Sequence, residues 1–182
     1  MVSPDTEEDR SEQHSAEEFR VNENHHTVSL WASKIPVIGA IAEHNWFVIN
    51  DCGEQTRWEV WQTANVICND VGESWDHVHR DLLPPEQGVG NGAAYKLEEW
   101  SGETALYLMN RIRSTPEQYP WCSKYRYWPG PNSNTYVQWV LLGRHKLGRK
   151  ALGKHYCRFE RFAYTRRDGN ACDECHRRIG LR

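Results

Sequence analysis

The sequence has no run of about 20 apolar residues, the length that a helix needs to cross a bilayer. It also lacks an N-terminal stretch in which basic residues precede an apolar run. A membrane span and a secretion signal are therefore not expected, and a cytoplasmic location is the default interpretation. Hydrophobic residues make up only 38% of the 182 residues. Nine tryptophans offset this shortage, because a large aromatic side chain buries roughly 150–250 Å². We expect one domain with an aromatic core.

Charge is unevenly distributed along the chain. From Arg144 to the C-terminus there are twelve basic and four acidic residues, whereas the preceding part has ten basic and twenty-one acidic residues. A basic tail can bind an anionic partner, but it can also be attracted to an acidic body, and we favour the second interpretation. No known nucleic-acid-binding motif is present, so nucleic acid is not an expected partner.

Composition divides the chain into three segments. Residues 1–26 are acidic and polar, and we predict disorder there because they cannot bury enough apolar surface to offset the entropy of ordering. Residues 27–145 contain the predicted strands and helices and are expected to form the domain. Residues 146–182 form a basic C-terminal extension that contains cysteine and histidine.

The pattern of the central segment predicts an α+β fold, with an antiparallel sheet packed against two or three helices. Val28–Trp31 is a short strand candidate. The β-forming runs 43–50 and 56–62 flank a turn at Cys52-Gly53 and predict a β-hairpin. Val66–Cys68 is a candidate for one more strand.

The turn position predicts the register of the hairpin. With Cys52-Gly53 in the turn, Trp46 lies opposite Glu59. Side chains of a strand alternate between its two faces. Glu59 then shares a face with His44 and lies diagonal to it, within reach of a long side chain.

Residues 69–100 contain Pro84-Pro85 and the spaced glycines Gly88, Gly90 and Gly92, and we predict a loop there. Helical periodicity follows. The apolar stripe from Ala105 to Ile112 predicts a helix that begins near Ser101. A second predicted helix follows Asn132, a favourable N-cap residue, and ends at Gly143. Ser133 then lies on the first turn of this helix.

A hydroxyl group at a helix N-terminus lies beside unpaired backbone N–H groups that can stabilise an oxyanion. Serine is a weak nucleophile without an adjacent base. His44 is a candidate for that base, with Glu59 orienting its ring. Each residue also has a structural interpretation: Ser133 as part of the helix cap, His44 as a half-buried strand residue, and Glu59 as an ion-pair partner of Arg57.

The run from Tyr125 to Val137 includes Trp-Pro-Gly-Pro-Asn-Ser-Asn-Thr-Tyr and resembles the hallmark of a bacterial family, domain-of-unknown-function family 3750. That family also has a His-Trp or similar pair on an early strand, as at His44-Asn45-Trp46. It often has a Tyr-Glu-Val run where this chain has Trp58-Glu59-Val60. The resemblance covers roughly residues 28 to 145.

This arrangement is more distantly similar to circularly permuted NlpC-type papain-like proteins, in which an early-strand histidine precedes an Asn-Cys motif that opens a helix. The resemblance implies that topology, with Ser133 in the place of the nucleophilic cysteine. It also implies that Asn132, Asn134, Trp46 and Trp128 contact the substrate or its oxyanion. A hydrolase or acyl transferase acting on an amide or ester is one implied function. Because a thiol ionises more readily than a hydroxyl, the alternative is a catalytically inactive domain that is structural or binds a small molecule or peptide.

The C-terminal extension contains a Cys-x-x-Cys motif at Cys172 and Cys175, which is a standard half-site for zinc. Cys157 with either His155 or His176 would complete four ligands. A zinc-stabilised tail is one hypothesis, and a short basic segment with reduced thiols is the other. No cofactor is expected for the core domain.

Overall fold

The computed structural model describes residues 26–36, 40–68 and 70–157. They form a six-stranded antiparallel sheet and three α-helices, which confirms the predicted α+β class. The order of strands across the sheet is β4-β5-β3-β2-β1-β6. The elements are β1 (Thr27–Lys34), β2 (Glu43–Asp51), β3 (Glu54–Val60), β4 (Glu73–Trp75), β5 (Val78–Arg80), β6 (Ala94–Ser101), α1 (Gly102–Arg113), α2 (Thr115–Gln118) and α3 (Ser133–Val140).

Strands β2 and β3 form the predicted hairpin in the predicted register. Asp51 pairs with Glu54 and Val48 pairs with Arg57. The turn at Cys52-Gly53 has positive φ at both residues, 52° and 96°, as a two-residue type I′ hairpin turn requires. Local sequence therefore determines the alignment of the two central strands.

One side of the sheet, the helix face, packs against α1 and α3. The stripe of α1 from Ala105 to Ile112 is buried as predicted. The ring of Tyr136 in α3 meets the ring of Phe47, with centroids 6.2 Å apart. Leu147 and Ala151 lie in the predicted C-terminal extension and are buried in the same core. The strand side chains of the helix face are Val28, Leu30, Phe47, Ile49, Trp58, Val60 and Val78.

The other side of the sheet, the loop face, is covered by the connection between β5 and β6, residues 81–93. The indole Nε1 of Trp46 donates to the backbone oxygen of Pro85 at 2.8 Å. Gly88 and Gly92 approach Ser33 so closely that a Cβ on either would lie within 3 Å of its hydroxyl oxygen. The inward side chains of the loop face are Trp31, Ser33, His44, Trp46, Val48, Arg57, Glu59 and His79.

Outside the hairpin, the strand predicted at Val28–Trp31 is confirmed as part of β1, whereas the predictions for residues 66–100 need correction. Residues 66–68 form no strand, whereas β4, β5 and β6 all lie in the segment predicted to be a loop. β4 and β5 have three residues each, too few to show a periodic pattern. β6 is an edge strand with mostly exposed side chains, and its pairing with β1 shifts register between Leu30 and Trp31. The shift interrupts the apolar alternation that predicts a strand.

Some predictions fall partly or wholly outside the described residues. These are the disorder of residues 1–26 and the zinc ligands Cys172, Cys175 and His176. Among the described helices, none combines the length and hydrophobicity that crossing a membrane requires.

Candidate functional site

A buried charged cluster lies on the loop face. The Oε2 atom of Glu59 accepts hydrogen bonds from Nε2 of His44 at 2.6 Å and from Nη2 of Arg57 at 2.8 Å. The Nε atom of Arg57 lies 2.7 Å from Oε1 of Glu59. All three side chains are buried. The contact between His44 and Glu59 that the hairpin register predicts is therefore present.

The protonation states in this cluster follow from its charges. Burial by itself would raise the pKa of Glu59, but the charge of Arg57 and the hydrogen bonds from His44 and Arg57 lower it to about 2. Glu59 is therefore ionised at neutral pH and can only accept hydrogen bonds. When His44 is neutral, its Nε2 carries the proton that Glu59 accepts, and its Nδ1 is the basic nitrogen.

Arg57 also connects the cluster to the loop that covers it. Its Nη1 donates to the backbone oxygens of Pro84 at 3.1 Å and Gln87 at 2.5 Å. The guanidinium carbon lies 4.1 Å from the ring centroid of Trp46, a cation–π distance. The loop thus supplies fixed carbonyl acceptors for the buried charge of Arg57.

A second polar cluster lies at the start of α3, in the Pro-Gly-Pro-Asn-Ser-Asn-Thr run. The side-chain oxygen of Asn132 accepts from the backbone N–H groups of Asn134 at 3.0 Å and Thr135 at 3.2 Å. The hydroxyl of Thr135 accepts from the backbone N–H of Asn132 at 3.2 Å, which completes a capping box. Asn132 also donates to the backbone oxygens of Tyr127 and Leu152. The N-cap prediction for Asn132 is confirmed.

The next asparagine attaches α3 to the sheet. The Oδ1 atom of Asn134 accepts from Nδ2 of Asn45 at 2.6 Å. Its own Nδ2 donates to the backbone oxygens of Glu43 at 3.0 Å and Leu152 at 2.9 Å. By contrast, the hydroxyl of Ser133 forms no hydrogen bond with another residue of the described ranges. Asn132, Asn134 and Thr135 thus make the run a structural junction, whereas the Ser133 hydroxyl has no hydrogen-bond partner among the residues that the structure describes.

The predicted site residues fall into two separate sets. Asn45 faces α3, so strand alternation directs the adjacent His44 to the loop face. Ser133 opens α3 on the helix face, and the described residues include no hydrogen bond between it and His44. The backbone N–H groups of Asn134 and Thr135, which could have held an oxyanion, are bonded to the Asn132 side chain.

Trp128, predicted to contact substrate, lies on the segment that leads into α3 and is 72% exposed. The neighbouring Tyr127 is also exposed, and its hydroxyl donates to the side-chain oxygen of Gln62. The peptide bonds before Pro129 and Pro131 are both cis. Trp46, in contrast, is fully buried in the charged cluster of the loop face.

Of the five candidate zinc ligands, the structure describes His155 and Cys157. The Sγ of Cys157 donates to the backbone oxygen of Thr135 at 3.6 Å. The zinc site therefore stays a prediction. A different group, at the surface, brings ligand atoms of His26, Asp51 and Cys52 within 4.8 Å of one another. Asp51 already pairs with Arg113 at 2.7 Å and with His26 at 2.8 Å. The hydrogen bond from Arg113 lowers the pKa of Asp51, and we assign no metal to this group.

An open cleft of about 410 Å³ lies on the helix face, between β6, the first half of α1 and the end of α3. It contains none of the predicted site residues. Sequence reasoning missed it because β6, which forms one wall, was interpreted as loop. Its apolar lining comes from Trp100, Leu108, Val140, Leu141 and Leu142, and its polar lining from Glu98, Glu103, Thr104, Tyr107, Arg144 and His145.

Similarity to known proteins assigns the sequence to a family. No curated protein and no solved structure is significantly similar to it. It does match the family described as "Protein of unknown function (DUF3750)" over residues 25–156, a span that contains every strand and helix of the described fold. The resemblance carried by the run from Tyr125 to Val137 is confirmed, and the chain belongs to the DUF3750 family.

Proposed function

We propose that this chain is a catalytically inactive binding domain that takes a small molecule or a peptide in the cleft between β6, α1 and α3. We prefer this function to that of a Ser–His hydrolase or acyl transferase. A papain-like ancestry, circularly permuted as in NlpC-type proteins, is part of the proposal. The helix opened by Asn132-Ser133-Asn134 and the early-strand His44 support that ancestry.

One observation carries the proposal: the nucleophile and base that a hydrolase would need lie on opposite faces of β2. A general base must come within hydrogen-bond reach of the proton that it removes. His44 is hydrogen-bonded to Glu59 beneath the loop, whereas Ser133 belongs to the junction between α3 and the sheet. Two of the amides at the helix start are also engaged by Asn132. On this proposal the chain keeps the early-strand histidine and the helix-opening asparagine, has serine where a papain-like site has cysteine, and lacks the geometry that catalysis needs.

The cleft between β6, α1 and α3 supports a binding function. Its volume falls within the roughly 300–1,000 Å³ that is typical of small-molecule sites. Most such sites combine an apolar lining with a few polar groups that orient the ligand. Trp100 and Leu141 provide apolar surface here, and Glu103 and His145 provide polar groups at the opening.

Two measurements test the proposal. A fluorophosphonate probe followed by mass spectrometry should leave Ser133 unlabelled in the wild type. Labelling of Ser133 that disappears in His44→Ala would contradict the proposal. A fragment screen by NMR, with the indole N–H groups assigned, should shift the Trp100 signal and leave the Trp31 signal on the loop face unchanged. Fragments that shift Trp61 beside His44 instead would place binding on the other face.

A further inference from the structure

The charges around the cleft are informative about its ligand, and this inference rests on the proposed binding function. Glu103 lies in the first turn of α1, is exposed, and forms no hydrogen bond or ion pair with another residue of the described ranges. An unpaired carboxylate at the mouth of an apolar cleft favours a cationic ligand group, because a charge-assisted hydrogen bond would form there.

A second carboxylate lines the same cleft. Oε2 of Glu98 lies 2.5 Å from Nδ1 of His145, so this acid has a partner in the protein. The rings of His145 and Trp100 are T-shaped, with centroids 6.2 Å apart and planes at 82°. Because Glu98 is paired with His145, Glu103 is the carboxylate of the cleft that is available to a ligand. Arg144 is the lining residue that would favour an anion instead, and the test below includes that outcome.

Aromatic rings strengthen the preference for a cation. Tyr107 lies one turn after Glu103 on α1, so the two side chains share a helix face. Trp100 lies across the cleft on β6. The faces of such rings attract cations, while the surface of Leu108 and Leu141 suits an apolar body.

We propose that the cleft binds a compact organic cation: an apolar molecule with one amine or quaternary ammonium group. Its ring or chain packs on Trp100 and Leu141, and its charged group lies beside Glu103.

The test is isothermal titration calorimetry of the full chain with three probes that share one indole ring. Tryptamine carries an ammonium group, tryptophol a hydroxyl, and indole-3-propionate a carboxylate. We expect tryptamine to bind roughly threefold more tightly than tryptophol, since an ion pair with an exposed carboxylate contributes only modestly. Indole-3-propionate should bind most weakly.

Matched variants locate the interaction. Glu103→Gln should weaken tryptamine binding roughly threefold and leave tryptophol binding unchanged. Glu99→Gln is the control, because Glu99 lies on β6 but its carboxylate pairs with Lys96 at 2.6 Å, away from the cleft. It should not change the affinity for any probe. An equal loss in both variants would overturn the assignment to Glu103.

Failure of this inference can be distinguished from failure of the proposed function. Equal affinities for tryptamine and tryptophol would overturn the cation preference and leave binding in the cleft intact. Tightest binding of indole-3-propionate would also overturn it, and would point to Arg144. If none of the three probes binds at millimolar concentration, the inference fails, and the fragment screen described above decides separately whether the cleft binds other ligands.

Discussion

The two faces of the sheet bury polar side chains by different chemistry. On the helix face, the buried side chains of Asn45 and Asn134 form a hydrogen bond between neutral amides. On the loop face, a buried network joins the ionisable groups of Arg57, Glu59 and His44. A hydrogen bond between neutral groups contributes the same free energy of unfolding when the pH changes. The contribution of a buried ion pair depends on the protonation of its members. The comparison shows that one sheet can hold both kinds of network when polar groups find partners.

The two faces differ partly because helices cover one of them and the connection between β5 and β6 covers the other. The helix face meets α1 and α3, whose backbone groups are largely satisfied within each helix. The loop face meets a connection whose regular hydrogen bonding is limited to a short 3-10 helix (Val89–Asn91) and a turn. Carbonyl groups elsewhere in this connection need other donors. Arg57 supplies donors in several directions, to Glu59 and to the oxygens of Pro84 and Gln87. A lysine could not reproduce this planar fork of donors.

The largest expected effect comes from removing the positive member of the charged cluster. Arg57→Met leaves Glu59 buried without its main partner, and the free energy of unfolding should fall by about 3–5 kcal/mol. Urea unfolding followed by tryptophan fluorescence measures the loss. Arg113→Met is the control, since Arg113 pairs with Asp51 at the surface and should cost about 0–1 kcal/mol. Similar losses in the two variants would mean that the loop-face cluster contributes no more than a surface pair.

A smaller effect should follow from lowering the pH. The pKa of Glu59 is about 2 in the folded protein against an ordinary 4.5. A lowered folded-state pKa contributes stability that is complete above pH 4.5 and is lost as pH falls towards 2, in total about 3 kcal/mol. Urea unfolding at pH 6, 4 and 3 should show this loss in the wild type and less of it in Glu59→Gln. Parallel pH dependence in the two proteins would rule out Glu59 as the source.

The smallest effects should distinguish two neighbours at the start of α3. Asn134→Ala leaves the amide of Asn45 and the oxygens of Glu43 and Leu152 without this partner. The substitution should lower the free energy of unfolding by about 1–3 kcal/mol. Ser133→Ala removes a hydroxyl without a side-chain partner and should change stability by less than about 0.5 kcal/mol. Urea unfolding of both variants at pH 7 and pH 4 measures the difference. A loss for Ser133→Ala as large as that for Asn134→Ala would contradict this account of the junction.

Local patterns were sufficient for the parts of the fold that local forces determine. The turn at Cys52-Gly53 predicted the register of β2 and β3, and with it the contact between His44 and Glu59. The stripe of α1 and the cap at Asn132 also follow from short-range spacing and hydrogen bonding. In each case the groups that interact are either close in sequence or joined by a tight turn.

The candidate site depended on more distant relationships. Alternation along β2 places His44 and Asn45 on opposite faces, but it does not say which face α3 will cover. The hydrogen bond between Asn45 and Asn134 shows that α3 covers the face to which Asn45 points. The cleft likewise requires β6, an edge strand whose pairing with β1 contains a shift that no local pattern indicated.

The sequence by itself determined the α+β class, the central hairpin, the buried stripe of α1 and the start of α3. These depend on dihedral preferences, caps and periodic burial, which act over a few residues. Only the tertiary structure decided that His44 and Ser133 belong to different faces and that the open cleft lies at β6. Packing brings together segments that are distant in the chain, and which faces meet depends on the burial and hydrogen bonding of the whole sheet.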